Sequence, residues 1–201
     1  SQHTRNERNA NSGIVVTVEL DDLLSFGHGP EDPLAGVAFQ RHWEGRAFRA
    51  GGSAYQAPAQ RVADFLARRP SSGAQEVHPS YQPGVRFGTL DGCLPDVVLE
   101  AIREALPAFA RRLPGFLMDD ALLTGVETRT SSPVRLPRDK TTLECCNTPG
   151  LYPAGEGAGY AGGILSAAID GIKVAEQVAL AITRPRLPHP GGPGGSACDQ
   201  V

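Results

Sequence analysis

Two stretches of the chain concentrate residue types that could do chemistry. The first is Gly155-Glu156-Gly157-Ala158-Gly159-Tyr160-Ala161-Gly162-Gly163, which runs into Ile164, where an apolar periodic segment begins. Glycines set before a helix let the backbone turn tightly and bring N–H groups and the positive helix end against an anion. Gly157, Gly159 and Gly162 spell G-x-G-x-x-G, the spacing of a dinucleotide phosphate loop. After the following helix the chain offers neither a second strand nor an acidic residue about 20 positions on to hold a ribose. The loop therefore reads as the last strand–helix unit of a cofactor domain rather than its first. A turn needed only for helix packing is the plainer reading of the same glycines. The second stretch, Thr128-Arg129-Thr130-Ser131-Ser132-Pro133-Val134-Arg135, sets four hydroxyls and two guanidiniums within eight residues. Arginine forks suit phosphates, carboxylates and flavin carbonyls, and open α/β sheets place ligands where this cluster stands, at the end of an apolar strand.

Those clusters need elements to hold them. Ile14–Leu20, β-branched and almost continuous, predicts a strand. Leu34, Val37, Ala38, Trp43, Ala47 and Phe48 recur at helical spacing until Gly51-Gly52. Pro58 reads as the first-turn proline of a short helix reaching about Arg69, and Val85–Phe87 as a strand. Pro95 opens a helix on Val98, Ile102, Ala105 and Phe109 that Pro107 should kink or split and that ends near Leu113. Ala121–Thr128 predicts a strand with Gly125 as its weak point; Leu143-Glu144 and Gly150–Ala154 predict two short ones. The last helix carries Leu165, Ala168, Ile172, Ala175, Ala179 and Ile182 as a sustained apolar face. Gly163, Ala167, Gly171 and Ala175 form a small-residue stripe on it that admits close approach. Beyond Thr183 the Pro/Gly-rich tail predicts disorder.

Composition limits what such a site can serve. With 201 residues, 40% hydrophobic, 20% charged and a net charge of −3, the chain reads as a soluble globular protein. It lacks the basic balance of a nucleic-acid surface. No run approaches a membrane span, since Ile164–Ile182 is broken by Asp170, Lys173 and Glu176. The four cysteines show no zinc spacing and no need for a disulfide framework, and Cys145 and Cys146 read as two free thiols. The expected compartment is therefore a reducing one, the cytoplasm or a plastid stroma, with no targeting segment in view. The five histidines lack helical pairing, so no metal site is expected. Neither G-x-S-x-G nor G-x-x-x-x-G-K-[ST] occurs, which leaves hydrolase and nucleoside-triphosphatase readings without a motif. Met118 is the only methionine, so residue 1 reads as the start of a processed or partial chain.

The two clusters, taken as Leu123–Arg135 and Gly150–Ile164, closely resemble the C-terminal part of a family of NAD(P)/FAD-dependent oxidoreductases described as FAD-dependent dehydrogenases. Asn9–Gly13, Pro33–Val37, Phe39-Gln40, Ala57–Val62 with Asp64-Phe65, and Pro79–Tyr81 with Pro83–Val85 look like earlier blocks of that family, so the likeness spans about residues 9–180. The resemblance implies a flavoprotein of the two-dinucleotide-binding-domain type, in which a second domain interrupts the FAD domain. It also implies FAD as cofactor and NAD(P)H as a candidate electron donor to a small-molecule substrate of unknown identity. Gly155, Glu156, Gly157, Gly159, Tyr160, Gly162, Gly163 and Ile164 would then be cofactor-binding, Glu156 facing the ribitol or pyrophosphate region. Thr128, Arg129, Thr130, Ser131 and Arg135 would lie beside substrate or flavin. No catalytic residue is identifiable. The sequence departs from the family at the front: no strand–G-x-G-x-x-G–helix precedes Ile14, so the missing N-terminal half of the FAD domain is expected to pack on this chain.

The expected fold class is α/β: an inserted α+β, substrate-type domain over 1–120, return strands and the closing βα unit of a Rossmann-like FAD-binding domain over 121–183, and a tail over 184–201. The expected function is the C-terminal portion of an FAD-dependent oxidoreductase, inactive alone. A non-catalytic truncated fragment or interaction module is the alternative.

Overall fold

A computed structural model describes residues 4, 6, 8–24, 29 and 31–183; the tail over 184–201 lies outside the described residues. The class is mixed α/β, as expected, with a three-stranded sheet of order β2-β1-β3. The elements are α1 (Leu20–Leu24), α2 (Ala35–Ala50), β1 (Ala57–Arg61), α3 (Val62–Leu66), β2 (Val85–Phe87), α4 (Asp96–Arg112), β3 (Leu122–Thr124) and α5 (Ile164–Thr183), with a single 3₁₀ turn at Glu156–Ala158 before α5. By contact density the chain divides into two compact units. Unit 1 is Ser1–Glu31 with Ala38–Thr128, and unit 2 is Asp32–Val37 with Arg129–Val201.

In unit 1 the sequence orders its own turns. Gly51 closes α2 because a Cβ there would stand 1.8 Å from the Gln56 carbonyl oxygen, a position no other residue can occupy. That turn feeds β1, which pairs in parallel with β2 (Ala57↔Val85) and antiparallel with β3 (Ala59↔Thr124). Pro58 thus begins no helix. It sits in the central strand, forgoing one N–H rung while its carbonyl still accepts the Gly125 N–H at 3.0 Å. Burial decides here: Pro58, Ala59 and Gln60 are all enclosed, and the fully buried Gln60 amide donates to the Arg69 carbonyl at 2.7 Å and accepts the Leu90 N–H at 2.9 Å.

The core gathers Val62, Phe65, Leu90, Val98, Leu99, Ile102 and Leu106, with Ile14, Val16 and Leu123 packed against it. The strand expected over Ile14–Leu20 does not form: 14–19 has no regular structure, with only Ile14 and Val16 half-buried, and Leu20 opens α1. Pro95 does cap α4, and the helix runs unbroken through Pro107, so the expected split does not occur. β3 keeps three of the eight residues expected of it and stops before Gly125.

Unit 2 has far less regular structure. Neither 143–144 nor 150–154 forms a strand; that region holds only an isolated bridge between Arg138 and Cys145. The closing strand of a βα unit is therefore replaced by irregular backbone. Its groups are satisfied by turns instead: Cys145 N–H donates to Leu151 O at 2.8 Å, Cys146 N–H to Pro137 O at 3.0 Å, and Leu136 N–H to Ala158 O at 3.2 Å. The expectation of two free thiols holds for Cys145 alone, because Cys146 is not a free thiol.

Candidate functional site

The glycine loop and the second half of the hydroxyl–arginine stretch meet within unit 2. They enclose a cleft of about 310 Å³ lined by Ser131, Ser132, Glu156, Gly159, Tyr160, Ala161 and Gly162. Ser132 ties the two segments together, its hydroxyl donating to Val134 O at 2.8 Å with Gly157 O at 3.1 Å. Gly159 makes that contact possible. Its φ is +84°, and a Cβ there would lie 2.7 Å from Val134 O and 3.0 Å from Arg135 Cα, so two backbones touch where only glycine allows. Gly155, at φ 67° and ψ −157°, adopts a conformation essentially reserved for glycine. By contrast, nothing lies within 4 Å of where a Cβ would stand on Gly157 or Gly162, so the loop is open on that side.

Behind the cleft a polar latch fixes the loop. Arg138, 7% exposed, reaches Asp170 of α5 with both terminal nitrogens, at 3.0 and 2.6 Å, and donates to Pro153 O at 2.6 Å. Asp170 also accepts the Gly155 N–H at 2.8 Å. The Arg138 side-chain hydrogen bond, with the Gly155 amide adding to it, holds the Asp170 carboxyl below the usual carboxylate range despite the opposing effect of burial. Tyr160 completes the latch: its hydroxyl donates to Leu136 O at 2.9 Å and accepts the Arg138 N–H at 3.1 Å. The Arg138 and Arg135 guanidiniums stand 3.7 and 4.5 Å from the Tyr160 ring centre. At the head of α5, Ser166 Oγ accepts the Gly163 N–H at 3.1 Å and donates to Gly163 O at 2.9 Å.

Of the residues singled out from sequence, Glu156, Gly159, Tyr160, Gly162 and Ser131 line the cleft. Gly155 and Gly157 belong to the same loop without lining it, and Gly163 and Ile164 head the helix beyond it. Arg135 stacks over the Tyr160 ring without lining the cleft. Arg129 and Thr130 are exposed and off the cleft. Thr128 belongs to unit 1, where its hydroxyl donates to Glu44 at 2.9 Å. Sequence reasoning missed Arg138 and Asp170. The available signal was weak: Asp170 is one of three charged residues in α5, with Lys173 and Glu176, and nothing local in the sequence marks it as the one that meets a buried guanidinium.

A larger cleft of about 450 Å³ in unit 1 is lined by Trp43, Arg46 and the carboxylates of Asp21, Asp22 and Asp96. Arg46 is committed there, stacked 5.4 Å from the Trp43 ring centre and bonded to Gly92 O at 2.5 Å. Three carboxylates around one engaged cation suit a phosphate-bearing ligand poorly. Among the described residues no group of three or more His, Cys, Asp or Glu side chains converges as a metal site would, and no helix is long and apolar enough to cross a membrane.

Residues 1–130 match the family model described as FAD-dependent protein, C-terminal domain-like. A protein of Clostridium beijerinckii bearing only the description uncharacterized protein is 52% identical over 178 residues. That alignment covers 89% of this chain and 32% of the relative, so the chain spans about a third of the length of the curated relative it matches. The family match ends where the cleft begins; the likeness to the relative, 178 residues of the 201, is longer than the family match.

Proposed function

The chain belongs to the FAD-dependent protein, C-terminal domain-like family, and on that premise we propose that it is the C-terminal portion of an FAD-dependent oxidoreductase of the two-dinucleotide-binding-domain type. The observation that carries this reading is the cleft of about 310 Å³ walled by the glycine loop and by Ser131 and Ser132. Its volume stands at the lower end of small-molecule sites, about 300–1,000 Å³, so it suits one segment of FAD. The ADP part would be held by polypeptide outside this chain that packs on it.

FAD, when bound, supplies the hydride chemistry. The chain's own residues bind and orient it. The Glu156 carboxylate accepts from ribityl or ribose hydroxyls. Ser131 and Ser132 offer short-range hydrogen bonding opposite it. Gly162 leaves the space beside its backbone for the ligand, as the absence of any atom within 4 Å of its would-be Cβ position supports. The α5 N-terminus favours negative charge by about 1 kcal/mol, worth about 20 mV on a two-electron couple at about 30 mV per 1.4 kcal/mol. NAD(P)H as electron donor completes the proposal.

The test is spectroscopic. Protein extended to the full length of its relative is expected to purify yellow, with flavin absorbance. Glu156→Ala and Ser131→Ala, at two residues that line the cleft, are expected to weaken flavin retention, the first about tenfold or more. Full flavin content in both variants would remove this cleft from the cofactor site, and a colourless full-length protein would remove FAD.

A further inference from the structure

The residues that wall the cleft and the residues that hold those walls are different. Neither Arg138 nor Asp170 lines the cleft, yet both ends of the glycine loop are fastened to them. At the near end, Arg138 Nη1 donates to Pro153 O at 2.6 Å, and Asp170 Oδ2 accepts the Gly155 N–H at 2.8 Å. At the far end, the Tyr160 hydroxyl accepts the Arg138 N–H at 3.1 Å, and the centre of its ring lies 3.7 Å from the same guanidinium. Between those points the loop closes on itself: the Tyr160 N–H donates to Gly155 O at 3.1 Å and the Gly159 N–H to Glu156 O at 2.9 Å. Glu156, Gly159 and Tyr160, which do line the cleft, therefore belong to a segment anchored at both ends by the same two residues.

Gly155 is where the anchoring has most to do. Its φ of 67° and ψ of −157° are open in practice to glycine alone, and a glycine that nothing holds has the widest choice of other conformations. The direction in which the chain presents Glu156 to the cleft depends on that one residue. Its N–H is held by Asp170, and Asp170 is placed in turn by Arg138, which engages both carboxylate oxygens at 3.0 and 2.6 Å with the two side chains only 8% and 13% exposed. We propose that Arg138 and Asp170 are positioning residues for the cofactor: by fixing Gly155 they preset Glu156 and the loop, so that affinity for FAD depends on the pair separately from its contribution to stability. This rests on the reading of the cleft as part of the FAD site. Without the pair the loop must be ordered when the ligand binds. Ordering the backbone of a single residue costs a factor of about 5–30 in an equilibrium constant, and that is the expected loss of affinity.

The experiment separates positioning from support through a property of enclosed ion pairs: removing one partner is severe, whereas replacing both by apolar side chains of similar volume is often neutral for stability. Protein extended to the full length of its relative is stripped of flavin and titrated with FAD by fluorescence, with thermal unfolding followed on the same samples. Arg138→Met with Asp170→Leu is expected to unfold at a higher temperature than Arg138→Met alone, yet to bind FAD about 5–30 times more weakly than the unsubstituted protein. Leu99→Ala, which destabilises unit 1, is expected to leave the FAD dissociation constant unchanged. In the stripped protein, amides over 153–160 should exchange faster in the double variant than in the unsubstituted protein. FAD affinity that returns in step with stability in the double variant, an equal loss of affinity in Leu99→Ala, or unchanged exchange over 153–160 would each overturn the positioning role and leave the cleft as the FAD site. An unsubstituted protein that binds no FAD, or a Glu156→Ala variant that binds it as tightly, would overturn the reading of the cleft, and the positioning role toward FAD would fall with it.

Discussion

In unit 1 the most completely enclosed side chains are Phe65, Leu99, Gln60, Asp64 and Cys93, and the first two belong to an apolar cluster of seven residues. Between Arg129 and Thr183 the buried set is Arg138, Cys145, Pro153, Ala158 and Val174. One unit is closed by apolar area and decorated by polar knots. There Asp64 takes hydrogen bonds from Ser71, Arg61 and Arg69, while Arg103 bridges Asp91 and Glu100 and lies 4.4 Å from the Phe65 ring centre. The other has a buried guanidinium, Arg138, among a few small apolar side chains, Ala35, Cys145, Ala158 and Val174. The difference teaches where each unit is vulnerable. Apolar closure is spread over many contacts and degrades gradually, whereas a desolvated ion pair fails as soon as one partner is removed.

That contrast is open to direct attack. Arg138→Met is expected to cost unit 2 about 3–5 kcal/mol, because Asp170 is left as a buried charge with one amide for company. In unit 1, Leu99→Ala should cost about 2–5 kcal/mol by creating a cavity. Hydrogen exchange followed by mass spectrometry separates the two: Arg138→Met should release protection over residues 150–163 and leave 96–106 protected, and Leu99→Ala should do the reverse. Adding Asp170→Leu to Arg138→Met should return part of the loss, since it removes the orphaned charge. If Arg138→Met instead melts both segments together, the units are one cooperative block and the contrast is void. Gly159→Ala comes next, at about 1–3 kcal/mol for a side chain forced into left-handed backbone against Val134 O. Its effect should again be confined to 150–163.

What the sequence could reveal follows the same division. α2, α4 and α5 are legible because their apolar spacing repeats over 16, 17 and 20 residues. Pro95 and Gly51 mark their limits by chemistry that is local. β1 is misread because Pro58 obeys a helix rule locally while burial between two other strands decides its state, and that pairing spans more than 60 positions. The strands expected at 143–144 and 150–154 fail for the opposite reason: their residues fit a sheet, but among the described residues no neighbouring strand stands beside them. Of the site, the glycine loop and Ser131 announce themselves by type and spacing. Arg138 and Asp170 do not, because 32 positions separate a pair that only the folded chain brings within 2.6 Å. α5 shows the limit of periodicity: it marks the apolar face correctly but does not say what lies against it, and among the described residues the fold packs against the other side, at Asp170 and Val174.

Acid should widen the gap between the units. Asp170 and Asp139 in unit 2, and Asp64 in unit 1, are all held below the ordinary aspartate range in the fold: Asp170 first by its hydrogen bond from Arg138, Asp139 by the Thr142 and Thr141 amides, and Asp64 first by Ser71. A carboxylate depressed in the folded state binds fewer protons there than in the unfolded chain. Its contribution is therefore complete above the unfolded value, near 3.8, and is lost as pH falls through the folded one. Unit 1 keeps its apolar cluster when Asp64 protonates; unit 2 keeps little. Titrating from pH 6 to pH 2, protection over 150–163 should fall before protection over 96–106. Coincident loss would indicate that apolar burial contributes more to unit 2 than its buried residues suggest.

The smallest test concerns Ser166, whose hydroxyl serves both the N–H and the carbonyl of Gly163 at the first turn of α5. If unit 2 depends on the latch, this cap is a local matter. Ser166→Ala should then cost about 1 kcal/mol, visible as faster exchange of the Ala167 amide and a slight loss of helicity. Asp170 lies one turn further along, where the helix is already fixed by Arg138, so fraying should stop before it. A cost above about 2 kcal/mol, beyond the range of a cap, would show that the first turn and the latch form one unit. The glycine loop would then be held from both ends of its connection to α5, at Gly155 by Asp170 and at Gly163 by Ser166, and the cleft would be as rigid as the core of unit 1.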